Sequence, residues 1–205
     1  MKRLLPFALV AMLAATAFAQ DEIREAKNLI QNGQCAEAIA PLQKVYKSSF
    51  RKSSGEKAAV MLAECYLREH KRDEALKLSS RFLEYYVNTV YRERMELAHA
   101  IVLVEKGSVY EGVESMLRIL AYSKNPAARS RTKEVAIQTL AASLLTADQL
   151  QALLEKYPVD KDIVGWMQLQ IGRECQNSKR YKAACVTVQR EVLESAPVFS
   201  KQRKS

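Results

Sequence analysis

The chain has 205 residues, a formal net charge of +9 at pH 7, 48% hydrophobic residues, and only six glycines and five prolines. That apolar content can fill a core, while so few turn-forming residues argue against a β-sandwich or barrel and the Ala, Leu, Glu, Lys and Arg runs favour helix. The cation excess favours an acidic protein, anionic headgroups or a cell-wall polymer as partner.

Lys2 and Arg3 precede an apolar stretch, Leu4 to Ala17, interrupted only by Pro6 and Thr16, and Ala17-Phe18-Ala19 places small residues where a signal peptidase reads them. This is the layout of a secretory signal over residues 1–19, with cleavage expected after Ala19. The mature chain is then expected in the periplasm or otherwise exported, with a charge of +7 once Lys2 and Arg3 are gone. No cysteine follows the small residues, so a lipid anchor is not supported. No later stretch is long and apolar enough to span a bilayer, and nucleic acid is not expected as a partner after export. A helical domain is expected over 20–197, and a frayed basic tail over 198–205.

Apolar periodicity predicts helix pairs at 21–32 with 35–49, 54–69 with 72–87, 90–106 with 109–122, 127–144 with 147–157, and 160–177 with 180–195. Thr146 and Gln149 have the spacing of a capping box. Small residues twelve apart recur across the pairs: Ala26 with Ala38, Ala63 with Ala75, Ala100 with Gly112, and Gly172 with Ala184. Closely crossing helices require small side chains where they meet. Gly33, His70 and Gly107 occupy the matching turns, 37 residues apart. The fourth pair lacks a clear set of small anchors.

Paired small residues, turn glycines, and Pro126, Pro158 and Pro197 near repeat ends resemble the tetratricopeptide repeat over residues 21–197, with a period longer than the family's usual ~34. The resemblance implies an all-α, right-handed α-solenoid of about five antiparallel helix pairs, whose concave groove is lined by the first helix of each pair. Carried over on the small-residue anchors, the groove positions include Lys57, Glu64 and Arg68 in the second pair, Arg94, Leu97 and Ile101 in the third, and Trp166, Leu169 and Arg173 in the fifth, with packing against the fourth pair as core the alternative for Trp166. Apolar anchors ringed by Arg and Lys suit an extended or helical peptide of acidic character. Phe82, Tyr85, Tyr86 and Tyr91 read as packing between repeats rather than a ligand cage.

No HExxH, GxSxG, Walker or GxGxxG motif is present, and the carboxylates mix with Lys and Arg as on a solvated helix face. No catalytic residue, metal site or cofactor is expected. His70 is expected exposed in a turn, and His99 in packing. Four cysteines in an exported chain invite disulfides, with Cys175–Cys185 and Cys35–Cys65 as candidate couples and four buried thiols as the alternative. The function implied is a non-catalytic scaffold or adaptor of the bacterial cell envelope that binds a protein or peptide in its groove. At this size it resembles, as a class, the lipoprotein of the outer-membrane β-barrel assembly machine and the cell-division coordinator of the Tol–Pal system. The alternatives are a regulatory helical module of a cell-wall synthesis activator or periplasmic ligand-binding receptor, and a helical cell-wall lyase.

Overall fold

The structure, a computed structural model, describes residues 19–143 and 145–177. Among them are nine helices and no strand. Helix α1 is described over residues 19–31. It is followed by α2 (Cys35–Ser48), α3 (Ser53–Arg68), α4 (Arg72–Tyr85), α5 (Arg92–Glu105), α6 (Val109–Tyr122), α7 (Pro126–Ala142), α8 (Ala147–Lys156) and α9 (Lys161–Asn177). Every bound lies within two residues of its sequence expectation, so the chain is all-α and built of short-looped antiparallel helices. The expected signal segment up to residue 18, the helix at 180–195 with Ala184 and Cys185, and the tail lie outside the described residues. No helix among the described residues is long and apolar enough to cross a membrane.

The chain divides into two compact units between Lys106 and Gly107, so the expected third pair contributes one helix to each. In unit 1, α3 is central: it packs on α2, α4 and α5, and α4 packs on α5. Contact between next-nearest helices as well as neighbours is what stacking of helix pairs produces. The crossing residues Ala26, Ala38, Ala63 and Ala75 are no more than 2% exposed. Leu42, Leu62, Phe82 and Met95 fill the space around them, each contributing roughly 1.5–3 kcal/mol of burial. Because α3 is covered on several sides, Ala58 to Ala63 are all buried.

The turns repeat as faithfully as the helices. Gly33, His70 and Gly107 have φ of 80°, 55° and 93°. After α1, the Gly33 N–H donates to Ile30 O (3.1 Å) and the Gln34 N–H to Leu29 O (2.8 Å). After α3, the His70 N–H donates to Leu67 O (3.2 Å) and the Lys71 N–H to Tyr66 O (2.8 Å). This is the Schellman closure, which needs a left-handed residue and favours glycine there. His70 meets that demand with a side chain, a conformation that costs an L-residue about 1–2 kcal/mol. Urea titration of His70→Gly should therefore show a gain of about 0.5–1 kcal/mol, net of glycine's greater entropy when unfolded. Gly33→Ala should show a loss of about 1 kcal/mol.

The α2–α3 connection is built differently. Arg51 has φ of 63°, and its N–H donates to the Tyr86 hydroxyl at 2.8 Å. Phe50 meets Tyr46, Tyr85 and Tyr86 edge-on, and Tyr86 stacks on Phe82 at 4.6 Å. The aromatic stretch thus joins the first pair to the second, with Arg81 over the rings of Phe50 and Tyr85. Gly55 of α3 lies directly against the Ser49 carbonyl, where an added Cβ would sit 2.1 Å from the oxygen.

In unit 2, α6 packs on α7 and α8, and α9 packs on α7 and α8. Met116, Leu117, Leu140, Leu150, Leu153, Ile163 and Met167 are its largest fully buried side chains. The capping box opening α8 is complete: the Gln149 N–H donates to Thr146 Oγ1 (3.2 Å) and the Thr146 N–H to Gln149 Oε1 (3.0 Å). Helix α7 starts on Asn125, whose side chain accepts from the N–H groups of Ala127 and Ala128, with Pro126 at the first helical position. Ala136 of α7 is fully buried, 36 residues after Ala100. The fourth pair therefore keeps its first small anchor, while Asp148, twelve residues on, is exposed.

Candidate functional site

Unit 1 holds a cavity of about 850 Å³. Its described lining comes from three helices and Tyr91, the residue before α5. Helix α1 gives Ala19, Gln20, Ile23, Arg24 and Lys27, the end of α2 gives Lys44, Ser48 and Ser49, and Lys52 to Ser54 with Lys57 belong to the start of α3. The described lining holds five cations and no carboxylate. Arg24 pairs with Asp21 and Lys44 with Glu22, each at 2.9 Å. Lys27, Lys52 and Lys57 make no ion pair among the described residues, so their charge faces the opening uncompensated.

Of the groove residues expected from sequence, Lys57 lies in this cavity. Further along the α3–α5 face, Glu64 and Arg94 form a bidentate pair at 2.7 and 2.6 Å. Hydrogen bonding to Glu64 holds the Arg94 guanidinium above its ordinary pKa, outweighing its partial burial. Arg94 thus carries an internal pair on this face. Arg68 is exposed, with Nη1 3.5 Å from Ile30 O and 3.7 Å from Cys35 Sγ. Ile101 is half-buried. Leu97 is 4% exposed, and α5 is buried on more than one face, with Met95, Ala98, Ala100 and Val102 also enclosed.

Trp166, Leu169 and Arg173 stand on α9 in unit 2. Trp166 is half-buried, Arg173 is exposed, and Leu169 is 37% exposed, among the few large apolar side chains open to solvent. Elsewhere in unit 2 three carboxylates, Glu114, Asp160 and Asp162, are engaged by lysines. Glu114 accepts from Lys156 (2.5 Å) and the Tyr157 hydroxyl (3.2 Å), and the Lys156 hydrogen bond holds its carboxyl below the usual range. Lys133 bridges Asp160 and Asp162.

His70 is exposed, and His99 Nδ1 is 2.9 Å from Ser79 Oγ, a packing contact between α5 and α4. No group of three or more His, Cys, Asp or Glu side chains capable of holding a metal ion comes together among the described residues. Cys35 and Cys65 are free thiols, not a bridge, and both are buried. Burial, helped by the hydrogen bond to Cys35, pushes the Cys65 thiol up to about 12, so it stays protonated and unreactive at neutral pH. Cys175 is buried, and Cys185 lies outside the described residues.

Lys27, Lys44 and Lys52 were missed in the sequence. A positive cluster drawn from three elements leaves no linear motif: Lys57 falls at a groove position of the second pair and Lys27 at the equivalent of Glu64 in the first, 37 residues earlier, while Lys44 and Lys52 fall at none.

No protein-family model and no curated protein matches the chain. Two solved structures are similar to it: the Podosopora anserina putative kinesin light chain with nearly identical TPR-like repeats, and a single-substitution form of the same protein. Each is 17% identical at a TM-score of 0.46 and covers 85% of this chain, with 93% of the former structure and 92% of the substituted form covered.

Proposed function

We propose that this chain is a non-catalytic interaction scaffold of the bacterial cell envelope, exported by its first nineteen residues, which binds an acidic protein or peptide on the α1–α3–α5 face of unit 1. The observation that carries this reading is the carboxylate-free cationic lining of the cavity, continued along α3 by Arg68. Stacked helix pairs supply a rigid, side-chain-rich surface of the kind used to dock extended segments. Against a lyase reading, Glu64, a carboxylate at a groove position, is held by Arg94 in a bidentate pair at 2.7 and 2.6 Å. A bridge between Cys175 and Cys185 belongs to the same exported picture.

The test is affinity capture from envelope extracts with the mature chain and with Lys57→Glu and Arg68→Glu. A partner recovered on the native chain should fall at least tenfold on each variant, with more loss at low salt, where unscreened charge matters most. Arg173→Glu reports separately on the α9 residues. Capture unchanged by Lys57→Glu and Arg68→Glu would mean that this face is not the binding surface.

A further inference from the structure

We propose that the end of unit 1 formed by the α2–α3 and α4–α5 connections docks on the surface of an anionic lipid bilayer. This goes beyond the reading of the α1–α3–α5 face and does not depend on it.

Antiparallel helices place their connections alternately at the two ends of a bundle. One end of unit 1 carries the turns at Gly33 and His70, where Asn32, Gln34, His70 and Lys71 are exposed and all are polar. The other end carries residues 49–52 and 86–91. These two connections are tied together by the Arg51 N–H on the Tyr86 hydroxyl, and the second is tied to α3 by Thr89 Oγ1, which donates to Glu56 Oε2 at 2.7 Å. All three large apolar side chains that unit 1 exposes among the described residues lie here within six residues: Tyr85 at 45%, Val87 at 62% and Val90 at 89%.

This exposure is built into the connection. Thr89, which stands between the valines, is half-buried and also accepts from the Tyr91 N–H at 3.2 Å. Arg92 Nη1 donates to Leu83 O and to Tyr86 O, each at 3.3 Å. The chain is thus held on a path that turns Tyr86 and Thr89 inward and both valines outward, the reverse of what water alone favours.

Charge identifies the occupant. On the two connections and the helix turns beside them, Lys47, Arg51, Lys52 and Arg81 are exposed, against one exposed carboxylate, Glu84. The Arg51 and Arg81 guanidinium groups lie over the Phe50 ring at 5.8 and 5.4 Å, and Arg81 also lies over Tyr85 at 5.8 Å. Both cations are therefore held beside the apolar side chains. Aliphatic tips, a tyrosine with a polar end and flanking cations suit a headgroup layer: the valines enter the acyl boundary, the tyrosine stays at headgroup level and the cations meet lipid phosphates. Neither valine lines the cavity of unit 1, and protruding aliphatic side chains suit a soft apolar layer, whereas a peptide needs a groove to enter.

The test is flotation of the mature chain with vesicles of phosphatidylcholine alone or mixed with phosphatidylglycerol. Binding to the anionic vesicles is expected, at least about tenfold above phosphatidylcholine and weakening as salt rises. Val87→Asp with Val90→Asp should weaken it by at least about tenfold with an unchanged melting curve, and Arg51→Gln with Arg81→Gln by a similar factor. Arg68→Glu, on the partner face, should stay within about threefold of the native chain. In a second arm, Val90→Trp combined with Trp166→Phe leaves one tryptophan at the connection, whose emission should shift to the blue on anionic vesicles. Equal or absent binding to the two vesicle types, aspartate variants that bind as well as the native chain, or an unshifted tryptophan would overturn the proposal. Self-association in sedimentation that the aspartates abolish, without vesicle binding, would overturn it in favour of a second copy. Vesicle binding lost only when residues 198–205 are removed would overturn it in favour of the tail.

Discussion

Gly55→Ala should destabilise unit 1 by about 3 kcal/mol, at the upper end for overpacking a close contact. The new Cβ would lie 2.1 Å from Ser49 O and 2.7 Å from Ser49 C, and both atoms are backbone, so no rotamer change relieves the clash. The α2–α3 connection would have to move, yet it is tied by the Arg51 N–H to the Tyr86 hydroxyl and by the Phe50 ring contacts. In thermal melts followed by circular dichroism, this corresponds to a fall of about 6–12 °C for a chain of this size. Gly165→Ala is the matched control: α9 leaves open space around that glycine, and alanine there should be neutral or stabilise by up to about 1 kcal/mol. Equal melting of Gly55→Ala and the native chain would mean that the α2–α3 turn is not packed as described.

Phe82→Ala should cost about 3–5 kcal/mol. Phe82 is fully buried and supports Tyr86, which in turn accepts the Arg51 N–H and meets Phe50. One truncation therefore opens a cavity where the first helix pair meets the second. Urea titration measures the loss, and native-state hydrogen exchange should show the Arg51 amide losing protection. Phe82→Leu, which keeps most of the volume, should cost about 1.5 kcal/mol or less. Tyr86→Phe removes only the hydroxyl acceptor, so it should expose the Arg51 amide with little change in global stability.

The helices were legible because both of their signals are local. Apolar residues at helical spacing mark the buried face, and small residues twelve apart mark the crossing. Ala26, Ala38, Ala63, Ala75, Ala100 and Gly112 are all buried in the structure. Ala136 escaped notice because its expected companion is Asp148, an exposed first-turn residue of α8, so the two-residue signature is half present. His70 aligned with Gly33 and Gly107 by spacing, but its left-handed backbone cannot be inferred from residue type, since histidine seldom adopts it. Gly55 was invisible for another reason: what excludes a side chain there is the Ser49 carbonyl of the α2–α3 connection, whose path helical spacing does not encode.

The candidate site was legible only in part. Lys57, Glu64, Arg68 and Arg94 all lie on α3 and α5, as the repeat resemblance implies, but their pairing does not follow from it. Glu64 and Arg94 are thirty residues apart and meet because α3 and α5 are next-nearest neighbours in the stack. Leu97, which the carry-over assigns to the groove, is 4% exposed, because α5 is covered on several faces. Ser49 and Lys52, which line the cavity, belong to the connection between helices, where repeat periodicity says nothing.

The central claim is that the cationic α1–α3–α5 face of unit 1 is where a partner sits. It is tested most directly by site-specific photo-cross-linking in living cells, with the photoreactive residue placed at Lys57, at Arg68, or at Lys77, which is exposed on α4 and does not line the cavity. A discrete adduct from positions 57 and 68, absent from 77 and lost when Lys52→Glu is added, is the predicted result. Adducts of equal yield from all three positions, or from position 77 alone, would contradict it.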